Sequence, residues 1–167
     1  GTSEELQVRE REREMEEKRK RELVGILLSQ KKSKESVDRL KRWIVKHAKY
    51  VKEVDEEIRA FANVPDVPEE NALGCLFAIN EIFVKRPKLR SYFAVGLEGS
   101  VKCLLRTLRD RENDVVEKLI RKWTRNAYYP EYVFFSDRVK EMKREKLLKP
   151  ENISNVIVER HNSLLYS

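Results

Sequence analysis

The residues able to do chemistry in this chain are few and badly spaced for it. Its two histidines, His47 and His161, stand far apart, and its two cysteines, Cys75 and Cys103, have no CxxC partner, so no metal-ligand spacing exists. Neither GxxxxGK[ST] nor GxGxxG occurs, and the only close glycines are Gly96 and Gly99. The many carboxylates are interleaved with Lys and Arg, the pattern of a solvated ion-pair face and not of an acid–base pair. These residues predict no catalytic, metal or cofactor site, and a chain that is not an enzyme.

What the charges can do is recognise something. The chain carries 36 Lys and Arg against 29 acids, a net charge of +7. Such an excess suits nucleic acid, acidic protein segments or an anionic surface without choosing among them. Arg106, Arg109, Arg111, Lys118, Arg121, Lys122 and Arg125 crowd one stretch, with Arg138, Lys140, Lys143, Arg144 and Lys146 beyond it. Acids intersperse both groups (Glu98, Asp110, Glu112, Asp114, Glu117, Glu141, Glu145), and no DNA- or RNA-reading motif accompanies them. A module holding an acidic, aromatic-bearing segment of another protein fits these residues, with weak nucleic-acid contact as the alternative.

The elements that position these charges read as helices. Only five Gly and five Pro punctuate 167 residues, and no alternating apolar–polar run is bounded by turn signals, so the expected class is all-α. The central stretch, Gly96 to Arg125, predicts a helical hairpin. Leu97, Val101, Leu104, Leu105 and Leu108 share one face of its first helix. Val115, Val116, Leu119, Ile120 and Trp123 share one face of its second, across a polar turn from Arg109 to Asp114.

Before the hairpin, residues 1–22 form a charged helical extension, after a Gly1-Thr2-Ser3 stretch with the look of a cloning scar. Glu14–Lys18, Glu16–Lys20 and Glu17–Arg21 are spaced to pair along it. Leu23, Ile26 and Leu27 dock first. Residues 29–36 read as a linker in which Ser36 caps the next helix, with Val37, Leu40, Ile44 and His47 on its inner face. A third helix buries Val51, Val54, Ile58 and Phe61, and Pro65 and Pro68 end it. From Leu73 to Phe83 hardly any polar residue interrupts before Asn80 and Glu81, which predicts a central helix buried on every side. Pro87 opens a short helix that Gly96 stops in a left-handed conformation.

After Arg125, an aromatic run from Tyr128 to Phe135 reads as an extended segment over the helices. A basic helix follows from Ser136 to Leu148, then an arm, 150–167, either irregular or helical. The main domain thus spans 23–149. Short connections give antiparallel neighbours, hence a right-handed superhelical array of helix pairs of armadillo or HEAT type, without a sequence repeat. No apolar stretch approaches a bilayer span and no signal peptide is visible, and two thiols in apolar helical patterns suit the cytosol or nucleus.

VEKLIRKWTR, Val116 to Arg125, resembles the TFIIS N-terminal domain, whose helix carries Leu-Ile and then a Trp. With LEGSVKCLLRTL before it and FAINEIFVKRPKLR from Phe77 to Arg90, the stretch from Leu73 to Arg125 is most similar to the conserved domain of the IWS-one (Spn-one) transcription elongation factors, in a shortened, divergent form. The resemblance implies a nuclear, monomeric interaction module that binds a short N-terminal segment of the Spt-six histone chaperone and so joins the RNA polymerase II elongation complex indirectly. It departs from the family at Leu97-Glu98-Gly99, where the family has Gly-Leu-Gly, at Ser100, where it has a basic residue, and at Leu104, where it has an aromatic. Carried over, the partner-binding set is Lys85, Tyr92, Phe93, Ser100, Val101, Lys102, Leu104, Arg121 and Lys122, with Trp123 structural. Another TFIIS-type adaptor domain, or a basic helical domain that binds nucleic acid non-specifically, accounts for the same residues.

Overall fold

The computed structural model describes residues 1–109 and 114–129. They form seven α-helices: α1 (Thr2–Leu28), α2 (Lys34–Lys46), α3 (Val51–Ala62), α4 (Glu69–Lys85), α5 (Arg90–Gly96), α6 (Glu98–Arg109) and α7 (Asp114–Arg125), with a 3₁₀ turn at Ala48–Tyr50. The protein is all-helical among the described residues, with the packing of a helical-repeat-like bundle. It divides into two compact units, residues 1–112 and residues 113–167.

In the first unit α4 is the centre. Ala72, Leu73, Gly74, Cys75, Leu76, Ala78, Ile79, Ile82 and Phe83 are all buried, because α2, α6, α5 and α1 pack around them. Glu69 and Glu70 sit in the first turn, where their charge meets the positive end of the helix dipole. At the other end the Arg90 Nε donates to the Phe83 carbonyl at 2.6 Å, satisfying one of the terminal acceptors.

Helix α3 is stitched to α6 at both ends. Ser100 N and Oγ both donate to Asp55 Oδ1, at 2.9 and 2.6 Å, so a side chain of α3 caps the first turn of α6. Thr107 Oγ donates to the Ala62 carbonyl at 3.1 Å at the far end. The predicted apolar face of α6 is in place: Leu97, Val101, Leu104, Leu105 and Leu108 are buried.

Helix α1 runs unbroken from the charged extension into the docked segment. Residues up to Lys18 are exposed, and then the helix meets α3. Arg19 makes a two-pronged pair with Glu53, both bonds 2.9 Å, while its guanidinium lies 3.6 Å from the Tyr50 ring centroid. The Glu53 carboxylate holds the Arg19 pKa above its ordinary value. The pairs expected along α1 do not form. Lys20 instead reaches Glu57 at 3.7 Å, and Glu22 accepts from the Trp43 indole at 3.1 Å. Exposed in-helix pairs of this kind contribute only about 0.2–0.5 kcal/mol each, too little to fix their side chains.

Two readings of single residues are corrected. Ser33, not Ser36, caps α2, its hydroxyl accepting from Ser36 N; Ser36 lies inside the first turn, buried, and its Oγ accepts from Lys31 N at 2.9 Å. The linker is correspondingly short, since α1 runs to Leu28 and α2 begins at Lys34. Gly96 is not a left-handed stop either, for no glycine has positive φ among the described residues and Gly96 is the last residue of α5. What demands glycine there is Val51 of α3: a Cβ on Gly96 would lie 2.6 Å from Val51 Cγ2.

In the second unit α7 buries Val116, Leu119 and Trp123, while Val115 is exposed and Ile120 half-buried. The chain turns immediately after it. Tyr128 N donates to the Trp123 carbonyl at 2.8 Å, Ala127 takes a left-handed φ of 55°, and the Tyr129 ring lies 5.9 Å from that of Trp123. The turn at 110–113, the aromatic run beyond Tyr129, the basic helix and the C-terminal arm lie outside the described residues.

Two glycine substitutions separate close approach from backbone freedom. Gly96→Ala is expected to destabilise by about 1–3 kcal/mol through overpacking. Gly25→Ala, in α1 with nothing near its added Cβ, is expected to stabilise by about 0.5–1 kcal/mol. Thermal melts followed by circular dichroism check both, and a neutral Gly96→Ala would contradict the packing assigned to Val51.

Candidate functional site

One strip of α4 escapes burial. Phe77, Asn80 and Glu81 are half-buried, and Val84 and Lys85 are exposed. Phe77, Glu81 and Lys85 follow one another at intervals of four, so they line a single edge of the helix. Opposite that edge α2 presents Lys34, Val37, Asp38 and Lys41, and the turn before it adds Lys32. Together these residues, Val84 apart, line an open groove of about 560 Å³. Its position follows from the amphipathicity of α2: Val37, Leu40 and Ile44 face the core, which leaves Lys34, Asp38 and Lys41 along the margin next to α4.

The electrostatics of the groove are lopsided. Asp38 is already neutralised, its Oδ1 at 2.9 Å from the Lys41 ammonium and its Oδ2 hydrogen-bonded to Arg42. Arg42, and Lys41 after it, hold the Asp38 carboxyl below its ordinary pKa, so it remains ionised and committed to those cations at neutral pH. Lys32, Lys34 and Lys85 have no ion-pair partner among the described residues, and Glu81 is the remaining acid. An apolar floor of Val37 and the Phe77 ring under three uncompensated ammonium groups can accept a short acidic segment carrying an apolar or aromatic anchor.

Lys85 alone of the residues expected to bind a partner borders this groove. Tyr92 is 45% exposed, but its hydroxyl donates to the Ala48 carbonyl at 2.6 Å and ties α5 to the 3₁₀ turn. Phe93, edge-on to Tyr92 at 5.3 Å, is fully buried, as are Ser100, Val101 and Leu104. Lys102 is half-buried on α6, and Arg121 and Lys122 are exposed on α7. Lys32, Lys34, Lys41 and Phe77 carried no sequence signal of a shared site. The one available clue was the polar break at Asn80 and Glu81 in an otherwise apolar helix.

No group of three His, Cys, Asp or Glu that could hold a metal ion occurs among the described residues. His47 ends α2, its Nδ1 2.7 Å from the Trp43 carbonyl and its ring stacked on Trp43 at 3.8 Å. Burial pushes the Cys75 thiol up to about 12, so almost no thiolate is present near neutrality, whereas Cys103 is partly accessible. Iodoacetamide at about pH 8 is therefore expected to alkylate Cys103 and spare Cys75 in the folded protein. Peptide mapping by mass spectrometry reads this, and equal labelling of the two would contradict the packing of α4.

No curated protein and no solved structure matches the chain. A family model does: the CID domain, over residues 19–134, more than half the chain. CID domains are helical protein-interaction modules of transcription and RNA-processing proteins, and not catalytic ones. The expected class, a helical interaction module of the transcription apparatus, holds at that level. The all-helical fold and the extent of the match agree, and the chain belongs to the CID domain family.

Proposed function

We propose that the groove between α2 and α4 holds a short, phosphorylated, acidic segment of a nuclear transcription protein. The phosphorylated C-terminal tail of RNA polymerase, which CID domains are known to bind, is the first candidate. The observation that carries the reading is the placement of Lys32, Lys34 and Lys85, all without ion-pair partners among the described residues, around half-buried Phe77. An aromatic side chain of the segment stacks on Phe77 and Val37, where apolar area is removed from water. Phosphates then lie against the lysine ammonium groups, which act as point charges. Glu81 works as a filter, disfavouring a second acidic group at the middle of the groove.

The chaperone segment implied by the resemblance to the elongation factors, acidic and aromatic, has similar chemistry and is the rival occupant. Phosphorylation separates the two. Isothermal calorimetry of the full chain against a phosphorylated polymerase-repeat peptide, its unphosphorylated form and the N-terminal segment of the Spt-six chaperone is the test. We expect the phosphorylated peptide to bind and the unphosphorylated one to bind at least about tenfold more weakly, a difference of about 1.4 kcal/mol. Lys34→Glu with Lys85→Glu is expected to abolish the difference. Tighter binding of the chaperone segment than of the phosphorylated peptide would hand the function to the elongation-factor reading.

A further inference from the structure

Much of this chain's positive charge lies on α2 and the turns beside it. Between Lys31 and Lys49 there are eight Lys and Arg against two acids, Glu35 and Asp38, which accounts for nearly all of the chain's excess of +7. Part of that charge faces the groove. The rest does not. Arg39, Arg42 and Lys46 recur at intervals of three and four along α2, on the side opposite Leu40 and Ile44, and Lys49 continues the line into the 3₁₀ turn. All four are exposed, and the Arg42 side chain is 78% accessible although it bonds Asp38.

We infer that this outer ridge of α2 is a second binding surface, for single-stranded RNA, adjoining the peptide groove, with which it shares Lys34 and Asp38. Three observations carry it. At a rise of about 1.5 Å per residue, Arg39, Arg42 and Lys46 sit about 4.5 and 6 Å apart along the axis, close to the step between neighbouring phosphates of one strand. A row of cations on successive turns suits a continuous polyanion better than a peptide with isolated phosphates. The row also borders a shallow concavity of about 700 Å³ that includes Trp43, which stacks on His47 at 3.8 Å. An aromatic pair beside a basic track is the arrangement on which unpaired bases stack.

The ridge is built to stay in place. Trp43 is anchored by its indole bond to Glu22, Arg39 donates to Ser29 Oγ at 2.9 Å, and Arg42 is oriented by Asp38. Those contacts hold the side chains while leaving donors directed to solvent, so less rotamer entropy is lost on binding. Glu35, at the start of the row, limits the track to the C-terminal part of α2 and the turn after it.

The test is fluorescence anisotropy of the full chain with a labelled single-stranded RNA of about twelve nucleotides, comparable with the known site sizes of single-strand binders, at about 50 and about 200 mM KCl. The triple variant Arg39→Gln, Arg42→Gln, Lys46→Gln is expected to lose at least tenfold in affinity. Its salt slope should fall by about 2, since each phosphate contact contributes about 0.7. A charge-matched triple elsewhere, Arg106→Gln, Lys118→Gln, Arg125→Gln, is expected to change affinity less than threefold. If the first triple alters the circular dichroism spectrum, Lys46→Gln with Lys49→Gln decides, because neither lysine makes an ion pair among the described residues. Equal losses in the ridge and control variants, or no RNA binding at the lower salt, overturn the inference. So does a ridge variant that weakens only the phosphorylated peptide, which would make the ridge an extension of the groove.

Discussion

The structure of the first unit depends on one constraint: α4 has almost no face that can meet water. Nine of its residues between Ala72 and Phe83 are buried, and each large apolar side chain taken out of water contributes about 1.5–3 kcal/mol. A helix of that composition must be enclosed, and α1, α2, α5 and α6 enclose it. Gly74 marks how close the surrounding chain comes, since a Cβ there would collide with the Lys31 carbonyl and the Gln30 side chain. The groove is what enclosure leaves over. Where Asn80, Glu81 and Lys85 interrupt the apolar surface, the neighbouring helix does not close over α4, Phe77 is left half-buried, and the edge of α2 becomes the opposite wall.

That constraint also explains what could be read from the sequence. The enclosure of α4 was legible because apolar residues occur at every helical angle between Leu73 and Phe83, which no surface helix tolerates. The apolar faces of α2, α3 and α6 were legible from their spacing: the α6 face is buried throughout, whereas Val51 and Phe61 of α3 and His47 at the end of α2 are only half-buried beside buried Val54, Ile58, Leu40 and Ile44. Cap identities were not. Ser33 and Ser36 both precede or open a helix, and only the course of the chain between α1 and α2 decides which hydroxyl reaches which amide. Gly96 was misjudged because the requirement for glycine came from Val51, 45 residues earlier in the chain, and not from its own backbone.

The candidate site was less legible for the same reason. Its walls come from Lys32–Lys41 and Phe77–Lys85, segments about forty residues apart, and a pairing between helices leaves no periodic trace. In α6 and α7, by contrast, a family-like motif and several arginines coincide within one stretch of sequence. In α6, however, Val101 and Leu104 belong to the core, and Ser100 is spent on holding Asp55. Much of the basic excess sits on α2 and the turns flanking it, a stretch that read as a polar linker and an ordinary amphipathic helix.

In the proposed function α2 carries the binding surfaces and α4 supports it. One margin of α2 forms the groove with α4, its outer side carries the ridge, and Asp38 lies between them, fixing Lys41 toward one and Arg42 toward the other. The most direct test of the central claim, that the α2–α4 groove receives the phosphorylated segment, is a ¹H–¹⁵N correlation titration with the phosphorylated polymerase-repeat peptide. The account predicts the largest amide shifts at Lys34, Val37, Lys41, Phe77, Glu81 and Lys85. Shifts confined instead to Lys102, Leu104 and their neighbours on α6, with the groove amides unmoved, would contradict it.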